Sequence, residues 1–128
     1  MSHFTRMKTK LVKKEYLIQA LTGLGYQPKE GTVKIKGYNG QETDVEVMVP
    51  TKNHGYDLGF KKTGDVYELV ADWYGIKDIN PEKFLNQLQQ KYAYHTVLNN
   101  MNEQGFEVVE EENQEDKTIH LTVRRTVF

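Results

Sequence analysis

Cysteine is absent from this 128-residue chain, serine occurs once, at Ser2, and tryptophan once, at Trp73. Without cysteine there can be no disulfide, thiolate nucleophile, iron–sulfur ligation or cysteine zinc site. With Ser2 as the sole serine, no Ser–His–Asp triad can be proposed. No apolar run approaches the ~18 residues of a spanning helix. The start carries no basic-then-apolar leader, so export is not expected. Strand-to-helix phosphate loops and GxSxG elbows are also missing, and Gly37 and Gly40 fall in a hairpin instead.

With 38% hydrophobic and 27% charged residues, the composition is that of a globular chain, and the length suits one domain spanning residues 1–128. The net charge of −1 hides an asymmetry. Residues 1–36 carry eight Lys or Arg against two acids, a local +6, and the remainder carries nine against sixteen, −7. Such a split marks an acidic-partner or nucleic-acid surface at one end, unless the two halves interleave in the fold.

Phe4, Arg6, Lys8 and Lys10 alternate with Thr5, Met7, Thr9 and Leu11, the period of a half-buried strand. From Lys13 the period becomes helical, with Leu17, Leu21 and Leu24 on one stripe and Gly25 as the left-handed cap. Residues 32–49 read as a hairpin. A three-residue loop Tyr38-Asn39-Gly40 sets Val33 against Val45, Lys34 against Asp44, and Lys36 against Glu42. A second hairpin turns at Thr63-Gly64 and would place Leu58 against Leu69 and Phe60 against Tyr67. Asn80-Pro81 opens a second helix running to about Asn102, which Gly105 ends. Strands over 106–111 and 118–127 follow, joined by an acidic loop. Each helix thus closes on a Gly-aromatic step before a strand pair. The predicted fold is α+β: duplicated β-α-β-β halves forming one antiparallel sheet with both helices on one face.

No two of His3, His54, His95 and His120 stand at metal-ligand spacing, and the acids of residues 107–116 lack the spacing of a calcium loop. Neither catalytic residues, a metal nor a cofactor are expected. The outer sheet face would instead gather Arg6, Lys8 and Lys10, then Lys34, Lys36 and Tyr38, then His120, Thr122 and Arg124. Phe4 and Met48 would lie beside them. Cations with aromatic rings suit single-stranded nucleic acid, though Asp44 and Glu46 share the face. Adjacent Trp73 and Tyr74 point opposite ways on a strand, so one of them leaves the core and can anchor a partner.

Several blocks carry a resemblance: the opening Met-Ser-His-Phe-Thr-Arg-Met-Lys-Thr-Lys; Asp57-Leu58-Gly59-Phe60 with Tyr67 through Gly75; and Gln90-Lys91-Tyr92-Ala93-Tyr94-His95 leading to Gly105-Phe106-Glu107-Val108. Together they resemble the uncharacterised family of unknown function that includes hypothetical chloroplast reading frame thirty-five, of cyanobacteria and algal plastids. The resemblance implies a soluble protein of the cyanobacterial cytosol or plastid stroma, with an AAA-type ATPase as a partner. It implies no activity, and it marks His3, Arg6, Trp73, Tyr94 and His95. The sequence therefore predicts a non-catalytic accessory or regulatory protein that binds another protein through Arg6, Lys8, Lys10, Trp73, Tyr74, His95 and Arg124. A nucleic-acid-binding module is the alternative.

Overall fold

The computed structural model describes residues 4–53, 55–113 and 119–125. In chain order the elements are β1 (Thr5–Lys8), α1 (Lys14–Gly23), β2 (Lys29–Lys36), a 3₁₀ turn (Tyr38–Gly40) and β3 (Glu42–Val49). Then come β4 (Leu58–Thr63), β5 (Val66–Ala71), a second 3₁₀ turn (Trp73–Gly75), α2 (Pro81–Glu103), β6 (Phe106–Asn113) and β7 (Ile119–Arg125). Five strands form an antiparallel sheet in the order β1-β5-β4-β3-β2. Both helices pack on one face of it: Leu17, Ala20 and Leu21 of α1 and Phe84 and Leu88 of α2 share a core with Val47, Val49, Leu58, Phe60 and Leu69. The α+β class and the placement of the helices are as the periodicity predicts.

Local chemistry explains the helix ends. Gly25 takes φ +94°. Tyr26 N–H then reaches the Leu21 carbonyl at 3.1 Å and Gly25 N–H the Thr22 carbonyl at 3.0 Å, the paired bonds of a Schellman cap. Asn80 Oδ1 accepts from Lys83 N–H at 2.9 Å, with Pro81 in the first turn where its missing N–H costs nothing. No side chain of its own segment caps the N-terminus of α1. The Tyr92 hydroxyl, from α2, accepts from Val12 N–H at 3.1 Å and Lys13 N–H at 2.9 Å instead. A tertiary contact thus supplies what a Ser or Asp would supply locally.

The first hairpin has the predicted register, with Val33 opposite Val45, Lys34 opposite Asp44 and Lys36 opposite Glu42. Gly37 N–H closes the loop on the Gln41 carbonyl at 2.9 Å, and both Asn39 (φ 56°) and Gly40 (φ 73°) are left-handed. The second hairpin differs from expectation. Phe60 pairs with Leu69 and Lys62 with Tyr67, so the loop is Gly64-Asp65 rather than Thr63-Gly64. Gly64 has φ +65° and takes the first loop position, which a β-branched Thr63 would fill only under strain. Each partner moves by two residues, so the faces are unchanged.

The last two strands do not join the sheet. β6 and β7 pair only with each other, as a two-stranded ribbon, which corrects the single-sheet expectation. Leu88 is the last fully buried residue of α2, and the helix continues to Glu103. At 1.5 Å per residue that stretch is about 22 Å long, and Tyr92 and Asn99 within it still touch α1. The hairpin after α1 joins the sheet and the hairpin after α2 does not. Tyr94 Oη donates to Glu111 Oε2 at 2.8 Å and ties the ribbon to its helix.

The outer face of the sheet is not simply solvated. Ile35, Val45 and Val70 are buried there, with Phe4, Val33 and Met48 packed against them. Val45 therefore lies on the opposite side from Val47 and Val49. The β2–β3 arm pairs with β4 only from Val47 to Val49, and beyond that its tip crosses the outer face toward the end of β5. Gly59 permits the crossing, since a Cβ there would lie 2.6 Å from Val45 Cγ1 and 3.1 Å from Ile35 Cδ1. Gly59→Ala is expected to destabilise the fold by about 1–3 kcal/mol through overpacking. In urea denaturation, Gly59→Ala combined with Val45→Ala should cost less than the sum of the single changes, and strict additivity would remove the crossing arm.

Candidate docking surface

Asp72 ends β5 and is 1% exposed. Its Oδ2 accepts from Tyr38 N–H at 2.9 Å, and its Oδ1 from Tyr74 N–H at 3.2 Å. One carboxylate thus caps the second 3₁₀ turn and holds the tip of the β2–β3 arm. Gly37 allows the close approach, because a Cβ there would stand 3.0 Å from both Asp72 Cβ and Phe4 Cζ.

This junction sets two tyrosines side by side. The Tyr38 and Tyr74 rings lie 5.8 Å apart at 87°, an edge-to-face pair, and are 42% and 59% exposed. Lys77 Nζ stands 4.9 Å from the centre of the Tyr74 ring. Behind them the Tyr56 ring lies flat on Gly75, where a Cβ would be only 2.2 Å from a ring carbon. Partial burial pushes the Tyr56 phenol above its ordinary value, and Asp72, Tyr74 and Tyr38 push the same way. Asn53 braces the surrounding loops: its Oδ1 accepts from Lys77 N–H at 3.3 Å and its Nδ2 donates to Asp78 Oδ1 at 2.6 Å. Trp73 turns the other way and packs on the core beneath the helices, its indole N–H buried without an acceptor.

The residues nominated from sequence fall in four places. Arg6 and Lys8 are exposed on β1 opposite Val70 and Glu68, and Lys10 is exposed just beyond it. Glu68 also stands opposite Lys61 and accepts from Thr63 Oγ1 at 2.7 Å, so an acid interrupts the basic row. Arg124 lies on the ribbon and pairs with Glu107, away from that row. His120 and Thr122 are on the same ribbon, so the continuous basic face does not assemble. His95 is half-buried on α2 beside the end of α1, 3.6 Å from where a Gly23 Cβ would be. Trp73 and Tyr74 stand back to back on the second 3₁₀ turn, apart from these three groups. His3 and His54 lie outside the described residues, among which no group of three potential ligands could hold a metal ion. No described helix is long and apolar enough to cross a membrane. Sequence reasoning missed Asp72, Tyr56 and Lys77 as members of one site, since nothing local relates residue 72 to residue 38.

Two grooves lie open to solvent elsewhere. One of about 580 Å³ runs along the first turns of α2 between Asn80 and Gln90, and one of about 230 Å³ adjoins it beside Tyr26 and Asp78. Neither pairs a nucleophile with a base. The Asp72 junction holds two exposed rings on backbones bonded to one carboxylate.

Two outcomes test this account of the site. Asp72→Ala leaves two inward-facing N–H groups without their acceptor and should cost about 2–3 kcal/mol. Faster exchange of the Tyr38 and Tyr74 amides should accompany that loss, and unchanged exchange would refute the latch. Burial lowers the His95 pKa from 6.5, and Lys91 adds to the shift. The folded chain therefore prefers neutral His95, whose contribution is complete above 6.5 and fades as pH falls through the lowered value. The stability difference between the native chain and His95→Gln, followed by denaturant titration, should be constant above that pH and shrink below it.

Comparison with known proteins places the chain. The family described as "Protein of unknown function (DUF1257)" matches residues 20–122. The "Uncharacterized protein ycf35" of Cyanophora paradoxa is 40% identical over 126 residues, and that of Guillardia theta 38% over 126, each covering 98% of both chains. The protein of the same description from Pyropia yezoensis is 34% identical over 130 residues, again with 98% of both chains covered. No solved structure matches. With the family match running from the end of α1 through the Asp72 junction to β7, and these relatives aligned over 98% of the chain, the chain belongs to the DUF1257 family, alongside the ycf35 proteins.

Proposed function

We propose that this chain is a non-catalytic accessory or regulatory protein that docks on another protein through the Tyr38–Tyr74 surface. It would work in the cyanobacterial cytosol or plastid stroma, with an AAA-type ATPase as its partner. The observation that carries the reading is the exposure of both rings, 42% and 59%, on backbones fixed by a single buried carboxylate. Tyrosines dominate binding hot spots because they bring a large contact area and a polar tip at low entropic cost. Fixing their backbones beforehand removes part of the ordering cost of association.

The nucleic-acid reading keeps a narrower basis. Exposed rings can stack on bases, but phosphate binding needs a continuous cationic track. Here Glu68 interrupts Lys8 and Lys61, and Arg124 is on a separate ribbon.

Affinity capture from native cells separates the readings. Tyr38→Ala/Tyr74→Ala should weaken capture of the ATPase at least tenfold, as loss of a hot spot does. An Arg6/Lys8/Lys10 charge reversal should leave capture in place. Undiminished capture by the tyrosine variant would overturn the docking surface. A mobility shift of single-stranded RNA that collapses at higher salt would promote the alternative.

A further inference from the structure

We infer that the corner between Tyr38 and Tyr74 receives a cationic side chain, arginine or lysine, from the docked protein, and that Lys77, which stands over the Tyr74 ring in the free chain, competes with it. The inference rests on the reading of this surface as a docking site and adds the chemistry of its partner. Two exposed rings at 87° form two walls of an aromatic corner, and aromatic faces are electron-rich. Immediately behind them the Asp72 carboxylate bonds to the backbone N–H of both residues. The corner is thus backed by negative charge, which attracts a cation and opposes a phosphate.

Lys77 reports the same preference. Its Nζ stands 4.9 Å from the Tyr74 ring centre, within the range of a cation–π contact. Lys13 over Tyr16 and Lys91 over Tyr94 are at 5.3 and 5.6 Å, but those rings have other engagements. Tyr16 is buried, and the Tyr94 hydroxyl bonds to Glu111. Only at Tyr74 does a second exposed ring, 36 residues away in sequence, complete the corner. Asn53 holds the Lys77 backbone, while the side chain can swing away. A long, flexible ammonium on a fixed backbone is a displaceable occupant rather than a structural pin.

The probe is Nα-acetyl-arginine methylamide, with the neutral citrulline analogue as control, followed through the Tyr38 and Tyr74 ring protons by NMR. The arginine compound should shift these resonances saturably and the citrulline compound should not. Lys77→Gln removes the internal competitor and should tighten binding about two- to fivefold. Tyr74→Phe, which keeps the ring face, should retain binding, and Tyr74→Leu should lose it. An equal response to citrulline, or no gain from Lys77→Gln, would overturn the inference. A larger shift with a single-stranded oligonucleotide than with arginine would overturn it in favour of base stacking. If arginine fails to bind while capture still depends on Tyr38 and Tyr74, this inference falls and the proposed function stands. If arginine binds while capture ignores both tyrosines, it is the proposed function that falls.

Discussion

The carboxylate of Asp72 is the joint on which the rest of the molecule turns. A hairpin arm eight residues long on each side would splay into water if only its base were paired. Two backbone N–H groups from segments 36 residues apart converge on one buried side chain, and the arm is held across the outer face of the sheet. Burying a carboxylate is costly unless its oxygens are satisfied, and here each accepts from a backbone amide. The same bonds that close the fold present Tyr38 and Tyr74 to solvent. The fold of the arm and the exposed ring pair therefore have one physical origin.

The sheet is consequently packed on both faces, unequally. The helix side holds the main core, and the arm side holds a small cluster around Ile35, Val45 and Val70. Gly59 in the middle of β4 is what the second layer demands, because any side chain there would occupy the space of Val45. On the first layer, Tyr92 closes the helix pair by accepting the N–H groups that α1 cannot cap for itself. Beyond Leu88, α2 still packs on α1 through Tyr92, His95 and Asn99 and carries the ribbon after its last turn.

Charge follows architecture rather than sequence order. Among the cations of the first 36 residues, Lys34 and Lys36 face Asp44 and Glu42 across the hairpin, and Lys14 lies 3.8 Å from Glu30. Arg6 and Lys8 sit on a four-residue edge strand, where charged side chains discourage pairing with foreign strands. The aromatic corner at Asp72, by contrast, carries negative charge behind it.

Periodicity and turn chemistry by themselves determined the α+β class, both helix spans, the Gly25 and Asn80 caps, and the first hairpin's register. Each of these depends on residues within a few positions of one another. Opposite-charge matches and β-branched pairs select a strand register locally, and Gly or Asn at a turn selects its handedness. The second hairpin turns one loop position later than alternation predicts, because alternation is identical for registers two residues apart and only the φ of Gly64 separates them. What only the tertiary structure decided is where the hairpins go. β6 and β7 pair with each other rather than with the sheet, which puts Arg124 and Arg6 on different sheets. The close contacts at Gly37 and Gly59 let the arm fold over and bring Tyr38 to Tyr74. Such contacts depend on shape complementarity between segments far apart in the chain, and no local pattern of charge or hydropathy records them.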